Sequence, residues 1–209
     1  MLETFQVETM AEILRNPRQN VEFLKPEYVS KVLHEEILAF EKAVNTFNLE
    51  NNLTFESLIE NMKANVIEAV PGAEWEIYGS FATGLCLPWS DIDIVIKAPQ
   101  TAYGTTALDA METSFKKKKF VEDAKVIRNT SVPVYKITCT KQYLNKKVDI
   151  SLHDPRHNGI LCVELVKEYL AFYPPLRSIV LILKQFLAKL NLNDTYLVVY
   201  VIVSALILE

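Results

Sequence analysis

The chain is poor in cysteine. Its three thiols, Cys86, Cys139 and Cys162, are odd in number and show no CxxC spacing. This excludes a disulfide framework and a zinc knuckle, and it fits a reduced, intracellular protein. Clustered basic charge is equally scarce. The net charge of −4 argues against a protein that grips nucleic acid by bulk phosphate neutralisation, so any RNA contact is expected to be local or borrowed from a partner. The one basic run, FKKKKF at 115–120, reads as a solvated helix end or loop. Long apolar runs are also missing: TYLVVYVIVSALIL stays apolar for 14 residues, whereas a bilayer span needs about 20. A core helix is expected there, and no membrane contact. The opening MLETFQVETMAEILRN is acidic and has no apolar stretch after basic residues, so no signal peptide is expected. No internal repeat or low-complexity segment is present.

What the chain does have is apolar content, 50% of its 209 residues, enough for one domain or one domain plus part of another. Residues 1–26 carry weak helical signals broken by Pro17 and Pro26 and read as an arm. Over 27–50, Val29, Val32, Leu33, Ile37, Phe40 and Val44 recur at helical steps, which predicts an amphipathic helix. LTFESLIENMKANVIEAV predicts a second, with Thr54 or Ser57 as cap and Pro71-Gly72 as stop. EWEIY and DIDIVIKA read as strands around a short helical FATGLCL; TALDAMETSFKKKKF reads as a helix; KVIRNT, VPVYKITC and KVDISL read as three more strands. The mixture without strict βαβα alternation predicts an α+β fold on a mixed or antiparallel sheet at 51–157. From 158 to 209 the pattern is helical.

The segment YGSFATGLCLPWSDIDIVI at 78–96 sets Asp91 and Asp93 in a run that is otherwise a buried strand. Residues two apart on a strand face one side, so both carboxylates point together while Ile92 and Ile94 face the core. Like charges that close need a cation, and Mg²⁺ takes oxygen ligands from carboxylates and substrate phosphates. Gly79 and Ser80 stand about a dozen residues earlier; a glycine lets backbone approach a ligand, and a hydroxyl with backbone N–H groups suits phosphate oxygens. Asp149, between Val148 and Ile150 in KVDISL, adds a third carboxylate if its strand neighbours the first, which suits a two-metal site.

GSFATGLCLPWSDIDIVI with KVDISL resembles the signature of the DNA polymerase β nucleotidyltransferase superfamily. The flanks LHEEILAFEKAV (33–44), VPVYKIT (132–138) and NGILCVELVKEYLAFYPPLRSIVLILKQFLAKLNLND (158–194) are similar to the nuclear poly(A) polymerases of the TRAMP-complex type. The resemblance implies a polymerase β-like catalytic domain followed by the start of a helical central domain, on which the 27–50 helix packs. It implies template-independent addition of AMP from ATP to an RNA 3′ end, with Asp91, Asp93 and Asp149 holding two Mg²⁺ (or Mn²⁺) and Asp149 assisting deprotonation of the 3′-hydroxyl. Gly79, Ser80, Lys184 and Asn158 then bind the nucleotide. An RNA-binding zinc-knuckle protein, a helicase and a nuclear location, with the cytoplasm as alternative, are implied in the same way.

The chain departs from the family pattern in two segments. HDPRHNG, with His153 and His157, is longer than the family's link to Asn-Gly and reads as an exposed turn. After Tyr196 the family's Gly-Gly-x-x-Ser-Tyr element is absent, with Tyr200 as a partial substitute for its tyrosine. Competing readings are a terminal uridylyltransferase, a catalytically impaired homologue acting as a binding protein, and a nucleotidyltransferase acting on a small molecule or protein.

Overall fold

The computed structural model describes residues 26–99, 105–128, 132–154, 158–190 and 192. Two compact units are present: one runs from Glu50 to Arg177, and the other joins residues up to Leu49 with those from Ser178 onward.

In the first unit, α2 (Asn52–Ala69; α1 is Pro26–Glu50) leads into β1 (Glu74–Tyr78), α3 (Gly79–Thr83), β2 (Ile92–Lys97) and α4 (Thr105–Phe115). Then come β3 (Val121–Ile127), β4 (Val134–Cys139), a 3₁₀ turn at Lys141–Tyr143, β5 (Lys147–Leu152) and α5 (Gly159–Phe172). The strands form one sheet in the order β1-β2-β5-β4-β3. β2 and β5 run parallel, while the other three pairings are antiparallel. The sheet is therefore mixed, as the α+β reading expected.

One face of this sheet is the core. Ile92, Ile94 and Ile96 of β2, Val148 and Ile150 of β5, and Tyr135, Ile137 and Cys139 of β4 pack against Leu58, Met62 and Val66 of α2 and Leu108, Met111 and Phe115 of α4. Each such aliphatic or aromatic side chain contributes roughly 1.5–3 kcal/mol when fully buried. Because strand side chains alternate, the residues between these, Asp93, Asp149 and Lys136 among them, face the other side.

Three local expectations need correcting. Neither Thr54 nor Ser57 caps α2: the cap position is Asn51, whose side chain makes no capping hydrogen bond. The helix before FKKKKF stops at Phe115, and the lysines form a turn. Phe115 is fully buried and Phe120 partly buried against the same core, the first edge-on to Tyr135 at 5.8 Å and the second edge-on to Tyr143 at 6.3 Å. On a continuous helix, side chains five residues apart diverge by about 140°, so the chain has to leave the helix to sink both. As a result the next strand starts at Val121, four residues before Lys125.

The second unit contains α1 and most of α6 (Pro175–Lys189). Val44 and Leu181 are its buried apolar residues on these helices, and Ser178 Oγ donates a hydrogen bond to Glu41. No described helix is long and apolar enough to cross a membrane. The apolar run from Tyr196 lies outside the described residues.

Candidate active site

Strand register brings the predicted carboxylates together. Asp93 of β2 stands opposite Asp149 of parallel β5, and Asp91 immediately precedes β2 on the same side of the pleat. Across the antiparallel neighbours the row continues to Tyr78 of β1 on one side and Lys136 of β4 on the other, with Lys125 of β3 beyond it. The row therefore runs from phenol through two carboxylates to two ammonium groups.

Gly79 opens α3 directly after Tyr78 and has φ of +67°, a left-handed conformation that disfavours any side chain. A Cβ added there would lie 2.2 Å from Asp93 Oδ2, so the glycine is what lets the carboxylate sit against the backbone. Ser80 follows at half-exposed depth, and its hydroxyl makes no side-chain hydrogen bond among the described residues. The turn is braced from within: Thr83 Oγ1 donates to the carbonyls of Gly79 and Ser80, both at 3.2 Å. It is also braced from outside, where Arg177 Nη1 donates to the Gly84 carbonyl at 2.6 Å. Phe81 packs edge-on against Phe55 of α2 at 6.1 Å and ties the turn to the core layer.

Lys146 is buried at 4% exposure, donates to the Pro88 carbonyl at 3.1 Å, and lies 4.8 Å from the Phe55 ring centre. It thereby fixes the turn that delivers Asp91. Ser151, also buried, bridges the Tyr78 hydroxyl and the Ile94 carbonyl, each at 3.3 Å.

Burial is the main electrostatic influence on this face, with like charge second at Asp91. Burial pushes the Asp91 carboxyl above its ordinary range and the charge of Asp149 pushes it further, while Lys147, Lys136 and Lys146 only partly offset this. Burial likewise raises Tyr78, the Ser151 hydrogen bond lowers it, and Asp93 and Asp149 raise it again, so it stays a neutral phenol. Asp149 is paired with Lys136, directly opposite it on β4.

Among the described residues no three Asp, Glu, His or Cys side chains already converge as a finished metal site. The donor chemistry nevertheless fits a hard cation: Asp93 and Asp149 stand side by side on one face with Asp91 just before them, and a cation there would offset the burial that disfavours the charged form of Asp91.

Two other predicted residues are carried by helices and not by these strands. Asn158 is the exposed cap residue of α5, with no side-chain capping bond, on a helix that packs against α3 and β1. Lys184 is half-buried on α6 in the second unit. His153 is exposed, and its N–H extends the strand pairing to the Ile96 carbonyl at 2.7 Å. His157, Tyr196 and Tyr200 lie outside the described residues. Sequence reasoning missed Lys136, Lys146, Ser151 and Arg177. Only Lys136 left a signal, as the polar member of the alternating VPVYKIT.

Residues 33–171 match the central palm domain of the mitochondrial-like poly(A) RNA polymerases. The chain belongs to this family. Poly(A) RNA polymerase cid14 of Schizosaccharomyces pombe is 32% identical over 173 residues, which are 81% of this chain and 24% of that protein. Trf4-2 of Drosophila melanogaster, named as an inactive poly(A) RNA polymerase, is 27% identical over 167 residues, covering 79% of this chain and 40% of that protein. The polymerase core of TRAMP, an RNA surveillance complex, matches with a TM-score of 0.62 at 29% identity, over 77% of this palm-containing chain and 49% of the solved one. The palm has the polymerase β-like nucleotidyltransferase fold. The chain spans about a quarter of cid14 and about half of the TRAMP polymerase chain.

Proposed function

We propose that this palm catalyses template-independent transfer of AMP from ATP to an RNA 3′ end. The observation that carries the reading is the pairing of Asp93 with Asp149 across parallel strands, one residue from the Gly79 turn. Asp91, Asp93 and Asp149 would hold two Mg²⁺ or Mn²⁺. Bound there, such ions supply Lewis acidity for the attacking hydroxyl and charge balance for the departing pyrophosphate.

The chain's own groups supply position and a proton acceptor. The backbone at Gly79 and the Ser80 hydroxyl take the β- and γ-phosphates, Lys184 pairs with the triphosphate, and Asn158 contributes to nucleotide binding. The RNA 3′-oxygen bonds to the α-phosphorus as the bond to the bridging β-phosphate oxygen breaks; Asp149 takes the hydroxyl proton, and pyrophosphate leaves. With net charge −4, grip on RNA falls to a partner, for which an RNA-binding zinc-knuckle protein working with a helicase in the nucleus is the family-based proposal.

The test is extension of a labelled RNA primer by the full-length protein with each NTP separately, in Mg²⁺ and in Mn²⁺. Preferential addition of A, lost in Asp91→Ala and Asp93→Ala, supports the proposal; steady addition of U assigns a uridylyltransferase. A second reading, a non-catalytic homologue, is favoured by the similarity to Trf4-2 and by the missing Gly-Gly-x-x-Ser-Tyr element. ATP binding without extension of any primer decides for it, and modification of a protein or small molecule instead of RNA would redirect the substrate class.

A further inference from the structure

Lys136 is a charged residue of this face, next to a proposed catalytic carboxylate, that the proposed chemistry leaves unused. It stands opposite Asp149 in the β4–β5 register, and its ammonium group is ion-paired to Asp149 Oδ2. Asp149 is the more enclosed partner, its side chain 17% exposed against 40% for Lys136. The carboxylate is therefore fixed by its strand, while the lysine reaches it from the solvent side on a flexible stem.

An ammonium group and a divalent cation cannot share the same carboxylate oxygen. The next residue in the row beyond Lys136 is Lys125, a like charge, so nothing on that side holds Lys136 more strongly than Asp149 does. Without Lys136, the face would carry Asp91, Asp93 and Asp149 against Lys147, exposed at the start of β5, with Lys146 turned to the Pro88 carbonyl. Like charges at that spacing repel.

We propose that Lys136 is a built-in counter-ion that neutralises Asp149 while no metal is bound and must release it before the site can load a divalent cation. It thereby sets the metal concentration at which the site fills. This rests on the reading of the three aspartates as metal ligands. Lys136 is a positioning residue: it acts through Asp149 and stabilises the unloaded form at the expense of metal affinity.

The experiment is Mn²⁺ titration of the full chain without nucleotide or RNA, followed by the electron paramagnetic resonance signal of free Mn²⁺, alongside thermal unfolding with and without Mn²⁺. Lys136→Met is expected to bind Mn²⁺ roughly 3- to 10-fold more tightly than the wild type, the range expected when a half-exposed ion pair no longer competes. Its melting temperature without metal should be lower, and its rise on adding Mn²⁺ larger. Lys136→Arg, which keeps the charge, should bind no more tightly than wild type. Lys136→Gln, which can still hydrogen-bond Asp149, tests the same point if Lys136→Met does not fold.

Mn²⁺ affinity equal to or weaker than wild type in a folded, charge-removing variant would overturn the inference while leaving the metal site standing. Absence of any wild-type Mn²⁺ binding that Asp149→Asn abolishes would overturn both.

Discussion

The Asp93 carboxylate occupies the space where any residue other than glycine at position 79 would place its Cβ, 2.2 Å from Oδ2. The two residues are 14 positions apart in the chain but meet at the sheet, because Tyr78 pairs with Asp93 and Gly79 follows it. Gly79→Ala must therefore shift either the turn or the carboxylate. The left-handed φ of +67° adds about 1–2 kcal/mol of backbone strain for a residue with a Cβ. A lower melting temperature is expected together with at least a tenfold loss of primer extension. Full activity in the alanine variant would show that the contact is dispensable.

Removing any one of the three carboxylates should leave the fold standing and the chemistry gone. Asp91, Asp93 and Asp149 lie on the face opposite the buried core. For Asp91→Ala and Asp93→Ala a fall in primer extension of about 100-fold or more is expected, the scale seen when a charge-stabilising group of an active site is lost. Chelation with EDTA should stop wild-type extension, and added Mg²⁺ should restore it. Extension that persists in excess chelator would count against a metal-dependent reaction.

Arg177 should matter through the turn it holds. Its Nη1 donates to the Gly84 carbonyl at 2.6 Å, just where Gly84 ends α3 with φ of +74°. Losing a charge-assisted hydrogen bond to a half-buried carbonyl costs about 1.5–3 kcal/mol. Arg177→Ala is thus expected to melt several degrees lower and to bind nucleotide more weakly. Unchanged melting and unchanged nucleotide affinity together would remove the turn-bracing role.

Alkaline pH should erode stability through two buried acids. Burial pushes the Cys139 thiol up to about 12, and burial, then Glu112 and Asp123, push the Tyr135 hydroxyl up to about 12. Both residues are fully buried in the core. When an acid's folded pKa exceeds its unfolded value, the folded state keeps the extra proton, so raising pH between the two values favours unfolding. Stability should be level below pH about 9 and fall from there toward pH 12, and the fall between pH 9 and 10 should be shallower in Cys139→Ala. An equal slope in that variant would exclude the thiol as a cause.

Thiol accessibility gives an independent check on the same core. Cys162 is exposed on α5, whereas Cys86 and Cys139 are buried. One thiol should react with an alkylating reagent in native buffer, and three in denaturant. Rapid native labelling of Cys139 would contradict the packing of β4 against the helices.

Local pattern made much of the palm legible. Alternation in DIDIVIKA and KVDISL marked which residues turn to the core and which do not, and Pro71-Gly72 marked the end of α2. Helix ends were less legible where burial decided them, as at Phe115 and Phe120. Cap chemistry misled at Thr54 and Ser57, since α2 begins at Asn52.

The sequence by itself determined that Asp91, Asp93 and Asp149 sit on the polar side of their strands, because side chains on a strand alternate with a period of two. It also determined that a glycine precedes them by a short turn. Only the tertiary structure decided that β2 and β5 lie side by side in parallel, with Asp93 level with Asp149. It likewise placed Lys136 opposite Asp149, and Asp93 over the Gly79 backbone. Those juxtapositions depend on strand order and register, which are set by how the whole apolar face packs against α2 and α4, and no local stretch of chain encodes them.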